Sequence, residues 1–268
     1  MNLINLTEKW DGVLYSMINV VAKLLYILHY PKWGKILGRN RELKDKHKGG
    51  RCFIVLNGPS INEHDLSSLK NEVVFATNFF YRAPLCKIVE PDYYCWLDSK
   101  VLTEGKIKEI FPEMLEACPK AKFIFNIKGV NVLGLNSNIN YVYPKTLPSI
   151  FGIQYDLSKT PSNVGTVAYL AILAAMYMGF EKIYLLGLDF EPTGFAHFQS
   201  LGANTECVRP GEKSSKLEVA GEYWGYTCSQ YQSYYLQDLA VKKNCQIINL
   251  NENSYIRAFP FAKYEDII

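Results

Sequence analysis

The stretch RCFIVLNGPSINEHDL, residues 51–66, drives an unbroken apolar run into Asn57-Gly58-Pro59-Ser60. Residues 52–56 have the length and composition of a strand buried on both faces, as in parallel sheets. A Gly turn with small polar side chains at the end of such a strand has a known use. Open α/β sheets receive ligands there, because the loops present backbone N–H groups. The ligand this strand end implies is a phosphate or a nucleotide.

The same logic extends along the chain. Runs at 72–76, 93–97, 122–126, 140–143, 182–187 and 246–250 read as further strands. Helices are predicted over 106–118, 166–178 (closed by Gly179) and 231–243. Strands alternating with helices imply an α/β fold, a mainly parallel sheet with helices on both faces. Residues 191–222 break the rhythm with Gly194, Gly202, Gly211 and Gly221 among Ser, Thr and Lys. A long excursion directly after a central strand predicts a lid, with a plain surface insertion as the alternative.

The totals agree with a globular body: 268 residues, 49% hydrophobic and 21% charged. Aromatic residues make up 14%, with 19 Tyr, which suits the gripping of flat or sugar-like ligands as well as a Tyr-rich core. Seven scattered Cys form no C-x-x-C pair, which argues against a disulfide scaffold or a zinc site and for a reducing cytoplasm. The net charge of +3 is uneven: residues 1–51 carry +6 and the remainder −3. A nucleic-acid enzyme more often carries its positive charge on the body, so nucleic acid is not an expected partner.

Residues 1–50 read as an amphipathic helix with a basic linker, ahead of a nucleotide-handling domain over 51–268. The helix segment, 12–30, is apolar apart from Ser16, Asn19 and Lys23. Val13, Met17, Val20, Val21, Leu24, Leu25 and Leu28 share one broad face, and a basic run from Lys32 to Arg51 follows. No signal-peptide pattern is present, and Lys23 would be costly at the centre of a spanning helix. The pattern predicts a helix in the membrane interface, its basic neighbour on anionic headgroups. Packing on the domain, or in an oligomer interface, is the alternative.

The other strand ends repeat the chemistry of the first. They read Thr77-Asn78, Asp98-Ser99 and Gly187-Leu188-Asp189-Phe190, while Ser162-Asn163-Val164-Gly165-Thr166 leads into the Ala/Leu helix. That helix start can receive an anion on its free N–H groups. Rich in Asn, Asp, Ser and Gly and poor in Lys and Arg, the set hydrogen-bonds a base and ribose better than a triphosphate. Neither G-x-x-x-x-G-K-[ST] nor G-x-G-x-x-G follows strand one, which demotes ATP and NAD. Each residue alone could equally be a turn former or helix cap.

FIVLNGPS, ATNFF, GFEKIYLLGLDF and INLNENS, in this order over roughly residues 51–260, resemble the bacterial sialyltransferases of glycosyltransferase family 42 and their uncharacterised fold relatives. The resemblance implies a Rossmann-like GT-A variant fold and transfer of sialic acid from CMP-sialic acid with inversion, without a divalent metal or other cofactor. Asn57, Gly58, Pro59, Ser60 and Asn78 would then contact the donor nucleotide. Asp98 would lie near the cytidine or phosphate, where the family often has Asn. Ser162, Asn163, Gly165 and Thr166 correspond to the family's Thr-Ser-Gly loop, here stretched. Gly187, Asp189 and Phe190 would hold the ribose and base.

The departures concern the catalytic groups. Where the family places two Tyr hydroxyls on the leaving phosphate, this chain has Glu191 and His197. Where the family has its general base in H-Y-x-G, this chain reads Glu222-Tyr223-Trp224-Gly225. Glu222 as base with His197 on the phosphate is chemically sound, and so is His197 as the base. Altered or lost activity is the third possibility. His64, just after the turn, reads as a solvated loop or cap residue. The expectation is a cytoplasmic enzyme peripheral to the inner membrane, with a homo-oligomer as one option, moving a nonulosonic acid or other sugar onto a lipopolysaccharide, capsule or other glycan acceptor. The alternatives are an ATP- and Mg²⁺-dependent diphosphokinase of the pterin-kinase type, with Asp98, Asp189 and Glu191 as metal ligands, and a non-catalytic nucleotide- or glycan-binding module.

Overall fold

The computed structural model describes residues 3–103, 105–148, 153–190 and 216–268. The seven predicted strands form β1 (Arg51–Val55), β2 (Val73–Thr77), β3 (Tyr93–Trp96), β4 (Lys122–Asn126), β5 (Ile139–Val142), β6 (Lys182–Leu186) and β7 (Gln246–Asn249). All pair in parallel, in the order β5-β4-β3-β2-β1-β6-β7. The chain winds outward from β1 to β5, then crosses back to lay β6 and β7 on the other side of β1. Register is continuous across the centre, with Val55 opposite both Ala76 and Leu186. The reversal of winding between β1 and β6 opens a crevice at their carboxyl ends. Asn57-Gly58-Pro59-Ser60 leaves β1 at that crevice.

The period-2 alternation of each strand sorts its side chains onto two faces. Phe53, Val55, Val74, Tyr94, Trp96 and Phe123 are buried on one face. It is covered by α3 (Leu85–Val89), α4 (Ser99–Thr103) and α5 (Ile107–Ala117). Cys52, Ile54, Phe75, Cys95, Ile183 and Ile247 are buried on the other, against α7 (Val167–Tyr177) and α8 (Lys216–Lys242). A short helix, α6 (Val130–Leu133), joins β4 to β5. All residues of α7 from Ala168 to Tyr177 are buried. A helix that is apolar all round belongs inside, and α7 fills the layer over β1, β2 and β3.

Two expectations need correction. First, residues 30–50 are part of the body and not a linker. After α1 (Leu3–Leu28), α2 (Tyr30–Gly38) buries Ile36 and Leu37, and the following turn buries Asn40 and Leu43. The segment before β1 is hydrogen-bonded to the end of α7, with Asp45 N donating to Tyr177 O (3.1 Å) and His47 N to Met178 O (2.8 Å). Its lysines stay in solvent while its few apolar residues, at helical spacing, go inside, so composition alone misleads.

Second, α8 begins at Lys216, well before the predicted start at 231, so residues 216–222 of the expected lid are helical. The early part of α8 buries Cys228, Ser229, Gln232 and Ser233 at helical spacing. Three of these are polar, and an apolar-periodicity reading passes over them. The rest of the expected lid, 191–215, lies outside the described residues.

Asn40 is fully buried and its Nδ2 donates to Tyr141 O (2.7 Å) and Leu157 O (2.8 Å), joining the N-terminal segment to β5 and the loop beyond it. Asn40→Leu strands these buried carbonyls, and an unpaired buried polar group costs about 1–3 kcal/mol. The expected outcome is a loss of about 3 kcal/mol, read as a lower urea midpoint at unchanged m-value.

Candidate functional site

The turns after β1, β6 and β7 are tied together by one carboxylate. Asp189 accepts from Ser60 N (2.9 Å), from Ser60 Oγ, and from Asn251 Nδ2 (2.7 Å). Its carbonyl accepts from Tyr255 N (2.9 Å). Gly58 N donates to Gly187 O (3.0 Å), so the two turns run against each other. A Cβ on Gly58 would lie 2.4 Å from Gly187 O and 2.5 Å from the Asp189 carboxylate. The space that Gly58 frees is taken by the chain itself and not by a ligand. Asp189 likewise spends its oxygens on Ser60 and Asn251. Asn249, Asn251 and Ser254 brace the exit of β6, with Asn249 and Ser254 both donating to Leu188 O.

Beside this clamp lies a set of polar groups that the protein does not satisfy. Asn57 Nδ2 reaches Thr77 O at 3.4 Å, while Asn57 Oδ1 and Thr77 Oγ1 are buried with no partner among the described residues. Asn163 is fully buried, and both Oδ1 and Nδ2 lack a partner among the described residues. Its neighbours in the approach to α7 are committed. Ser162 Oγ accepts from Gln154 N (2.9 Å), Gly165 N donates to Gln232 Oε1 (2.8 Å), and Thr166 caps α7 through Tyr169 N (3.4 Å). Asn163 alone is left over. Native proteins pair nearly all buried polar groups, so such a group marks a place where something else hydrogen-bonds.

Backbone strain gathers at the same edge. Asn78 (φ +49°), Asn163 (φ +61°), Gly187 (φ +70°) and Phe190 (φ +56°) all take the left-handed conformation. Asn tolerates it, whereas an aromatic residue there is a true outlier, of the kind that clusters at ligand sites. Phe190 turns its ring edge-on to Tyr226 of α8, centroids 5.0 Å apart. Asn78 is held through its carbonyl, which accepts from Tyr94 Oη (2.7 Å).

Pro59 begins the short 3₁₀ turn Pro59–Glu63 that carries Ser60 and Ile61 inward. Asp98 is exposed at the end of β3, where its carbonyl accepts from Leu102 N (3.4 Å). Three strand spacings, about 14 Å, separate the ends of β3 and β6. Asp98 and Asp189, two of the metal ligands expected for the diphosphokinase alternative, therefore stand at separate strand ends. Among the described residues no group of three or more His, Cys, Asp or Glu side chains is placed to hold a metal ion. His197 and Glu191 lie outside the described residues, and of Glu222 only its place on α8 is described. His64 caps the end of the 3₁₀ turn Pro59–Glu63, one of the two roles expected for it, and its side chain is largely shielded from solvent. Its ring packs on Tyr264 (4.7 Å between centroids) beside a cleft of about 400 Å³ that Ser60, Asn251 and Tyr264 also line.

Sequence reading overlooked Gln232, Asn251 and Lys145. Gln232 was hidden in a polar helix face, although Asn251 stood in the quoted INLNENS. Lys145 is paired through its backbone with the α7 approach, donating to Pro161 O (2.8 Å) and accepting from Val164 N (3.1 Å). Burial holds its ammonium below the ordinary lysine range, and the charge of Lys23 on α1 adds to the effect.

A parallel sheet with its polar, strained edge at the β1/β6 reversal defines an α/β protein of the Rossmann-like class, with a ligand crevice in the position that nucleotide-handling proteins use. Residues 29–194 match the model of the family described as 6-hydroxymethylpterin diphosphokinase MptE-like, and the chain belongs to that family. Among solved structures it is similar to the MAf glycosyltransferase from Magnetospirillum magneticum AMB-1, with 15% identity and a TM-score of 0.49. That match covers 86% of this chain but only 38% of the other, so the chain spans well under half of that enzyme. It is also similar to the sialyltransferase CstII from Campylobacter jejuni in complex with CMP-3FNeuAc, with 15% identity, a TM-score of 0.43, and 79% and 85% of the two chains covered. The same enzyme with cytidine-5′-monophosphate gives 17% identity, a TM-score of 0.43, and 80% and 85% coverage. No curated protein matches the chain.

Asp189→Ala removes the acceptor for two backbone or side-chain donors of Ser60 and for Asn251. Hydrogen bonds to a charged group contribute about 1.5–3 kcal/mol each before relaxation. The expected loss is about 3 kcal/mol, measured by chemical denaturation, with Asp189→Asn intermediate because an amide oxygen still accepts.

Proposed function

We propose that this protein is a transferase acting on a nucleotide-activated substrate, and that the substrate is a CMP-sugar, with a nonulosonic acid as the sugar. The observation that carries the reading is the set of neutral polar groups at the strand and helix ends, Asn57 Oδ1, Thr77 Oγ1 and the Asn163 amide, that are buried without a partner among the described residues. Amide and hydroxyl groups match the donors and acceptors of a base and a ribose. These three residues carry no charge, which suits a donor with a single phosphate better than a triphosphate. The motif resemblance to sialyltransferases points the same way.

On this reading Asn163 and Asn57 hydrogen-bond the nucleoside, and the clamp of Asp189, Ser60 and Asn251 sets the spacing of the turns that hold it. Glu222, near the start of α8, serves as the base that removes the acceptor hydroxyl proton, and attack opposite the leaving nucleotide inverts the anomeric centre. His197 hydrogen-bonds the departing phosphate, and Glu191 stands beside it. A glycan hydroxyl is the acceptor, and the reaction calls on no metal.

The family's own description favours a second reading, an ATP-dependent diphosphokinase, since the matched residues run from α2 through β6 and include the exits of β1, β2 and β6 and the approach to α7. A thermal-shift series with CMP, CDP, UDP, GDP and ATP, each with and without Mg²⁺, separates the two. Ligand at 100 times its dissociation constant stabilises by about 2.7 kcal/mol. The expected result is stabilisation by CMP that EDTA leaves unchanged. Stabilisation by ATP only with Mg²⁺ replaces the proposal with the kinase reading, and silence to every nucleotide favours a non-catalytic module.

Asn163→Gly is the matching variant, because glycine keeps the left-handed backbone without the amide. It is expected to leave thermal stability nearly unchanged while weakening CMP binding about tenfold, a loss of about 1.4 kcal/mol, read by calorimetric titration.

A further inference from the structure

Helix α1 is attached to the body by the wrong face for a soluble protein. Gly12, Ser16 and Asn19, at positions i, i+4 and i+7, are the buried residues, with Tyr15, Ala22 and Tyr26 half-buried beside them and Tyr26 stacked on Tyr143. Asn19 Nδ2 donates to Leu147 O (3.1 Å) and Pro148 O (3.4 Å), and Tyr15 Oη accepts from Trp224 Nε1 (3.1 Å). The outward face is apolar, with Met17 62%, Val21 54%, Leu24 55% and Leu28 75% exposed, and Trp10 67% exposed near its start. At 3.6 residues per turn the exposed apolar positions fill about half of the helix circumference. A helix that pairs with one other helix needs a narrower stripe. So broad an arc suits immersion in a fluid apolar phase.

Charge identifies that phase further. Lys23 is exposed at the border of the arc, and Lys32 and Lys35 are exposed on α2, which continues from it. Half-buried Lys145 lies within electrostatic reach of Lys23 at the junction between α1 and the loop beyond β5. Cations bordering a broad apolar face are the complement of a bilayer with anionic headgroups. Lys9–Leu28 is long and apolar enough to cross a membrane, with a mean hydropathy of 1.4. Spanning would strip Ser16 and Asn19 of their contacts with the body and carry Lys23 into hydrocarbon, a cost that lying flat avoids.

The attachment also fixes which edge of the domain meets the membrane. The loop that Asn19 grips includes Thr146, whose carbonyl accepts from Gln232 Nε2 (2.6 Å), and Gln232 in turn holds Gly165 in the approach to α7. We propose that α1 lies in the interface of an anionic bilayer, apolar face down, and that it holds the carboxyl edge of the sheet, with its crevice, at the lipid surface. The inference does not depend on which group the protein transfers.

The test is flotation of the full chain with vesicles of phosphatidylcholine alone or with phosphatidylglycerol, together with a Val21→Glu/Leu24→Glu double variant. Both substituted positions are exposed, so the variant is expected to keep the wild-type circular dichroism and melting curve. Wild type should float with the anionic vesicles and less with the neutral ones, and the variant should lose about tenfold or more of its partitioning. Equal flotation of the variant would overturn the proposal. So would a wild-type chain that stays off both vesicles, including one that forms a dimer in solution which the variant dissociates.

Discussion

One carboxylate orders the ligand-facing edge of this protein. Asp189 joins the exits of β1, β6 and β7 through Ser60 and Asn251, on the side of the sheet where the winding reverses. A parallel sheet leaves its strand-end loops without partners, and loops that diverge around a crevice need a cross-tie to stay open at a fixed width. Asp189 supplies it with an anion satisfied entirely by donors from its own chain. The close approach of Gly58 to Gly187 follows from the same closure, since no side chain fits between the turns. Beside this edge Asn57 Oδ1, Thr77 Oγ1 and the Asn163 amide stay buried without a partner among the described residues.

That division of labour separates residues which look equivalent in the sequence. Asp189, Ser60, Ser162, Gly165 and Thr166 all read as ligand-facing strand-end groups, yet their polar atoms hold loops and cap a helix. Asn163, flanked by them, does none of this. Its backbone is left-handed, with φ at +61°, and its amide has no partner among the described residues. Strain at Phe190 fits the same picture, because holding its ring on Tyr226 links the exit of β6 to α8 at the border of the crevice.

The ends of the chain are seated on this core by polar contacts as well as apolar ones. Asn40 joins the N-terminal segment to β5, and Asn19 seats α1 on the loop beyond it. Gln232 spans from α8 to both Thr146 and Gly165. Asn40 and Gln232 use both donor and acceptor, which fixes orientation as well as contact, and Asn19 uses its donor. Elements attached in this way leave their apolar residues free for other surfaces, and α1 is the extreme case.

The parallel sheet was legible in the sequence because its strands are continuous apolar runs, each ending in a polar or glycine-bearing turn, a pattern that depends only on near neighbours. Cys52–Val55 and Lys182–Leu186 announce themselves as buried strands for this reason, and the Ala/Leu run announces α7. The positions of Asn57, Asn78 and Asn163 at strand and helix ends could be read as well. Which of those side chains are spent inside the protein was settled only by folding, since Asp189 meets Ser60 across 129 residues and Gln232 meets Gly165 across 67. The polar inner face of α8 and the attachment of Asn40, Asp45 and His47 to the body escaped for a related reason. Their packing rests on hydrogen bonds to distant partners, and a local pattern of apolar residues carries no record of a partner that only the tertiary fold brings near.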